Sequence, residues 1–305
     1  MKNQNSWLHI VDCKPSIMTR AVNKFKIGID LNKYKSMRVF SNALLLVRNQ
    51  KGLLFNEEWV SGVRCYRVRP KGSSSRKVIF YIHGGGFVLG SGAYCIKCAN
   101  LIARKTGFMT VAVDYRLAPE HPFPAALEDA YCAYLGLLKS GMKPPGIVLF
   151  GDSAGGGLCM SLLMKLKDEK VPLPCAAVML SPAVNFTETG ETHITKADKD
   201  PIFTKSLIGV RDLYAPGADY KNPYLSPVYG DFTGLPRMLI VAGENEVLLS
   251  DSLMAGKKAY SQGVNVSVYV WKEMFHVFPI LGSSLPEGKA AMKQIADFIK
   301  EQLRP

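Results

Sequence analysis

The sequence predicts an α/β protein, with one mostly parallel sheet flanked by helices across about residues 56–305. Three observations predict it. Short apolar runs rich in β-formers recur, each closed by a loop containing Gly, Asp, Ser or Pro; such runs suit strands buried on both faces. Longer helical stretches alternate with them, which implies right-handed βαβ units. No apolar run exceeds six residues (Cys175–Leu180), whereas a membrane-spanning helix needs about 20.

Residues 1–55 are basic and read as a helical N-terminal segment, with Phe25, Ile27, Ile29, Leu31 and Ala43–Val47 as apolar anchors. Val63–Arg69 alternates apolar with basic residues, as a half-exposed strand does. Lys77–Ile82, Met109–Val113, Ile147–Phe150, Cys175–Leu180 and Met238–Ala242 are the compact central runs. Val264–Trp271 alternates again and is placed nearer an edge. Ala125–Lys139 opens with Glu128 and Asp129, closes with Lys139 and stops at Gly141, which suits the helix dipole. Gly155–Lys167 is apolar almost all round, as a helix buried against a sheet should be. Leu249–Gln262 and Pro286–Leu303 complete the helices. Residues 185–225 are irregular and read as a second cap insert, since long inserts in a compact domain are usually functional.

Composition is that of a globular chain, 48% hydrophobic and 21% charged, which excludes disorder and fibres. The N-terminus lacks the apolar core of a secretory signal, so a cytoplasmic location is expected. The net charge of +13 is uneven. Residues 1–77 hold 16 basic and 4 acidic side chains, and residues 78–305 hold 22 and 21. Any nucleic-acid or membrane reading therefore rests on the first quarter of the chain. Seven cysteines without framework spacing read as reduced thiols. Cys95-Ile-Lys-Cys98 has no second ligand pair, so it is read as one face of a helix and no metal is assigned.

Gly151-Asp152-Ser153-Ala154-Gly155 fits G-x-S-x-G between a predicted strand and a predicted helix. In such a nucleophile elbow the serine sits on a strained turn, and small neighbours let strand and helix approach. Asp152 is read as support for the turn, because adjacent side chains cannot orient one another's base. His83-Gly84-Gly85-Gly86-Phe87 follows another buried strand. Its glycines can turn N–H groups inward as an oxyanion hole requires, with His83 and Gly84 supporting Gly85 and Gly86. No GK[ST] or GxGxxG accompanies it, which argues against a phosphate loop.

An elbow of this kind places its partners in the order serine, acid, histidine. Among five histidines, His276 alone follows a credible acid; His9, His83, His121 and His193 lie outside the order or in accessory segments. The acid belongs in the loop after Met238–Ala242, where spacing leaves Glu244 and Glu246 both open. Asp251 reads as a helix-start acid favoured by the dipole.

HGGGF (83–87), DYRLAPE (114–120), HPFP (121–124) and GDSAGGG (151–157) resemble the bacterial hormone-sensitive-lipase-like esterase family. The likeness continues through Leu180–Pro182, Asn222–Pro227, Glu246–Leu249 and Phe275–Phe278, and spans roughly residues 60–280. It implies an α/β-hydrolase fold with a helical cap built from the N-terminal segment and the second insert. The triad acid falls at Glu246, which with Ser153 and His276 gives a carboxylesterase for short acyl chains. Gly85, Gly86 and Ala154 would supply the oxyanion hole, no cofactor is needed, and Asp114 would belong to a structural network beneath the site. One departure is Ser250, where related sequences often carry an acid.

The expected substrate is a small-molecule ester, with no nucleic acid. The alternatives are an N-deacetylase or amidase, a longer-chain lipase with the same triad, and a non-catalytic ligand-binding protein. Certain plant hormone receptors that resemble the family lack the histidine, and its presence here weighs against the last. Membrane-surface contact through the basic segment is a minor alternative, since its cations are dispersed. A homodimer is left open.

Overall fold

The computed structural model describes residues 6–26, 33–38, 51–73, 76–203 and 208–304. The proposed anchors Ile27, Ile29, Leu31 and Ala43–Val47 lie outside these residues.

Among the described residues, nine strands form one sheet in the order β1-β9-β8-β7-β6-β4-β5-β3-β2. They are β1 Leu8–Val11, β2 Leu53–Val60, β3 Val63–Pro70, β4 Val78–Ile82, β5 Met109–Val113, β6 Ile147–Asp152, β7 Ala176–Leu180, β8 Arg237–Gly243 and β9 Val266–Trp271. Among the described residues only the β2–β3 and β3–β5 pairings are antiparallel. Every residue of β4, β5, β6 and β7 is buried, which is why these segments read as continuous apolar runs without alternation.

The chain runs from β4 to β5 through α1 (Ala93–Thr106), a crossover that is right-handed in nearly all such units. It then returns past β4 to β6 through α2 (Ala125–Lys139) and moves on to β7 through α3 (Ala154–Asp168). Opposite directions of travel put α1 on one face and α2 and α3 on the other. The C-terminal helix Pro286–Gln302 packs on α1, and Leu249–Ser261 covers β8 and β9. Strand order reverses between β4 and β6, and the crevice at such a switch point is where α/β sheets bind ligands.

The expectation of a helical cap over residues 1–55 fails at both ends. Leu8–Val11 is a strand, paired in parallel with β9 from Leu8↔Val268 to Val11↔Trp271, and β2 begins at Leu53. Trp7 is buried (7% exposed) and its ring covers Gly256 on Leu249–Ser261. A four-residue strand carries too little alternation to be read by periodicity. With β1 outside it, β9 is second from the edge and keeps its alternating burial, in keeping with its expected place near an edge. Between these strands, Ile17–Lys24 is helical, as expected for this segment. Among the described residues the second insert holds two short helices, Thr192–Thr195 and Ile208–Tyr214.

Candidate active site

Ser153 joins β6 to α3 with φ 53° and ψ −119°, a left-handed conformation uncommon for a residue with a Cβ. Backbone contacts hold it there. Its N–H donates to Leu180 O at 2.8 Å, and its carbonyl accepts from Gly157 and Ala183, both at 3.1 Å. A Cβ on Gly155 would collide with the carbonyls of Ile82 and His83, and one on Gly151 with Cys159 Sγ and the Gly155 carbonyl. The glycines of the motif are thus a packing requirement of the turn.

The carboxylate of Asp152, 1% exposed, accepts from Tyr81 Oη (2.6 Å), Tyr94 Oη (2.8 Å) and the Gly84 N–H (3.0 Å). It ties the elbow to the glycine loop. That loop closes on itself as Val88 and Leu89 donate to Gly85 O. The N–H groups of Gly85, Gly86 and Ala154 have no acceptor among the described residues. All three residues line the cavities around Ser153, and a helix's first N–H groups are orphaned in any case. His83 is buried and stacked on Tyr115 (centroids 4.1 Å apart, 10° between planes). Its Nδ1–H donates to Gly84 O at 2.8 Å, and burial lowers its pKa, so the ring is a neutral prop.

Across the cavity His276 follows β9. Its Nδ1–H donates to Glu246 Oε2 at 2.8 Å, and Glu246 Oε1 accepts the Gly243 N–H at 3.0 Å. Burial pushes the Glu246 carboxyl above its ordinary value, the charge of Asp200 acting with it and His276 and the Ser181 hydroxyl against it. Glu244, the other acid left open by spacing, instead accepts the Glu273 N–H at 3.1 Å. No hydrogen bond joins Ser153 Oγ to His276 in this structure. Both residues line one cavity, and catalytic contacts in unliganded sites are often long and tighten with substrate.

The space around Ser153 has two lobes. The smaller, about 460 Å³, is walled by Gly86, Phe87, Ala154, Phe186 and Val210. The larger, about 720 Å³, is walled by Leu89, Tyr94, Ile202, His276, Val277 and Leu281. Phe203 borders both, its ring edge-on to His276 at 4.7 Å.

Sequence reasoning missed the groups that fasten the second insert to the acid loop. Asp200, fully buried, accepts from Ile202 (2.8 Å), Phe203 (3.0 Å) and Val247 (2.9 Å), the residue after Glu246. Thr192 Oγ1 donates to Val247 O, and at 2.7 Å it also meets Ser250, the departure from the family pattern. Asp251, expected to act only on the helix dipole, accepts from Val184, Asn185 and His193 Nε2 at 3.0, 3.0 and 2.8 Å. Burial opposes protonation of His193, but the Asp251 bond and charge hold its pKa above the usual value. By sequence His193 lies outside the triad order or in an insert, and only the fold brings it to Asp251. Asp114 lies under the glycine loop, accepting from Tyr66 Oη (2.9 Å) and the Gly92 N–H (3.1 Å) and pairing with Arg64. Cys95 and Cys98 are buried on α1, and all seven cysteines are free thiols. No helix among the described residues is long and apolar enough to cross a membrane.

Comparison with known proteins points one way. A family profile described as alpha/beta hydrolase fold matches residues 79–280. An acetyl-hydrolase of Streptomyces hygroscopicus is 38% identical over 234 residues, 76% of this chain and 78% of its own. The crystal structure of an esterase from the bacterial hormone-sensitive lipase family superposes with TM-score 0.88 at 34% identity, covering 96% of this chain and 100% of that one. EstE5, in crystals soaked with p-nitrophenyl butyrate, gives TM-score 0.86 at 35% identity over 94% and 97% of the two chains.

Proposed function

The chain belongs to the α/β-hydrolase family of bacterial hormone-sensitive-lipase-type esterases, and from that premise we propose how it works and on what. It is a carboxylic ester hydrolase. Our proposal is that it hydrolyses short-chain acyl esters through Ser153, His276 and Glu246. The observation that carries this is the Glu246–His276 pair facing a serine on a strained elbow across one cavity.

Ser153 Oγ attacks the ester carbonyl as His276 Nε2 takes its proton; Glu246 holds the ring and stabilises the imidazolium. The free N–H groups of Gly85, Gly86 and Ala154 receive the developing oxyanion, and one such donor is worth about 10²–10³ in rate. His276 then gives the proton to the leaving alcohol, so the alcohol must lie on the His276 side, in the larger lobe. That leaves the smaller lobe for the acyl chain, where Phe87, Phe186 and Val210 limit its length. A short acyl group suits this wall; one relative is named an acetyl-hydrolase, and EstE5 crystals were soaked with p-nitrophenyl butyrate. Water, activated by His276, releases the acyl-enzyme.

The test is hydrolysis of p-nitrophenyl esters from acetyl to dodecanoyl, beside Ser153→Ala. The expected maximum is at butanoyl or below, with the variant inactive and folded; a maximum at decanoyl or longer would sink the short-chain reading.

A further inference from the structure

The helix Ile17–Lys24 is turned inside out. At 3.6 residues per turn, Ile17, Met18, Ala21 and Phe25 share one arc, and it faces water: Ile17 is 82%, Met18 64% and Phe25 76% exposed. The inward side carries Thr19 and Asn23 beside a half-buried Val22 and is fastened to the protein. Thr19 is fully buried beside the N-cap Ser16, which bonds Glu287 Oε2 at 3.2 Å, and Asn23 Nδ2 donates to Glu273 O at 2.8 Å. A surface helix ordinarily has the reverse arrangement. Single exposed hydrophobes need no explanation, but a contiguous set marks an interaction surface.

Charge says what kind. Lys14, Arg20, Lys24 and Lys26 surround this arc, all exposed and without an anionic partner among the described residues. No Asp or Glu occurs from residue 13 to 26. Glu273 and Glu287, which anchor the helix, flank the stretch from His276 to Leu281, and Leu281, 48% exposed, walls the larger lobe.

We propose that this face docks on an anionic lipid surface, setting the larger lobe beside the bilayer. A second copy meeting the same face would oppose four cations with four, as two-fold symmetry demands. A layer of anionic headgroups over acyl chains satisfies both the cations and the apolar arc. Each cation near such a surface adds about fivefold to partitioning.

The test is co-sedimentation of the full chain, at low salt, with vesicles of phosphatidylcholine alone or mixed with phosphatidylglycerol. The wild type should pellet with the mixed vesicles only. Arg20→Gln with Lys24→Gln should weaken partitioning about 25-fold, and Ile17→Ser with Phe25→Ser at least about tenfold. Every variant should hydrolyse water-soluble p-nitrophenyl acetate at the wild-type rate, which keeps this test separate from the reading of the active site. The proposal is overturned if the wild type binds neither vesicle or binds both equally. It is also overturned if either pair of substitutions leaves binding unchanged, or if the face instead mediates self-association in sedimentation velocity.

Discussion

Replacing Asp200 should damage catalysis although it touches neither nucleophile nor base. Its Oδ1 accepts the Ile202 and Phe203 N–H groups, and its Oδ2 accepts that of Val247. The first pair sets the Phe203 ring against His276, and the second holds the loop that presents Glu246. Asp200→Ala orphans three buried donors at about 1–3 kcal/mol each. Partial relaxation of the insert should leave a net loss of about 2–4 kcal/mol in a urea melt. A displacement of about 1 Å in a catalytic group costs on the order of 10² in rate, so kcat/KM for p-nitrophenyl acetate should fall about 100-fold. Asp200→Asn separates the two halves. One oxygen can still receive Ile202 and Phe203, while the new NH₂ meets the Val247 N–H donor to donor. Its kcat should fall about tenfold with KM within about threefold of wild type, because the walls of both lobes are kept. Wild-type kcat in the Asn variant, or equal stability of wild type and Ala variant, would refute the reasoning.

Further outcomes follow from the same contacts. Asp152→Ala removes the acceptor of two tyrosine hydroxyls and the Gly84 N–H; kcat should drop at least about 100-fold as the glycine loop loosens, and an unchanged kcat would contradict that role. Glu246→Gln should cost about 10³–10⁴ in kcat, whereas Glu244→Gln should cost under about threefold; the reverse ranking would move the acid. Trp7→Ala should destabilise by about 3–5 kcal/mol in a denaturant melt, and a loss under 1 kcal/mol would mean that β1 does not hold the sheet edge. His193, whose pKa is raised in the fold, contributes ion-pair stability that is complete below its unfolded pKa near 6.5 and is lost as pH rises through the folded value. The Tm gap between wild type and His193→Gln should therefore be wider at pH 5.5 than at pH 9, and a gap that widens toward pH 9 would refute the pairing with Asp251.

The central sheet was legible because burial on both faces leaves an unmistakable composition. Met109–Val113 matches its strand residue for residue, and Val78–Ile82 starts one residue later than expected. The elbow and glycine loop were legible because steric demands at Gly151 and Gly155 leave a local signature. Three things were not. The β1 strand takes its stability from β9, 260 residues away in sequence, and has no periodicity of its own. Spacing left Glu244 and Glu246 equivalent, and the backbone direction after β8 turns only Glu246 toward His276. Asp200, Thr192 and His193 looked like residues of an irregular insert because their partners, Val247, Ser250 and Asp251, belong to another segment. Local motifs report local sterics; contacts that fasten a cap to a core leave no such trace.

Ser153 is the proposed nucleophile, and labelling with a fluorophosphonate followed by peptide mapping tests that assignment most directly. The prediction is one adduct per chain, on Ser153, formed in step with loss of ester hydrolysis and slowed at least about 100-fold in His276→Gln. An adduct on another residue, or hydrolysis that persists in fully labelled protein, would contradict it.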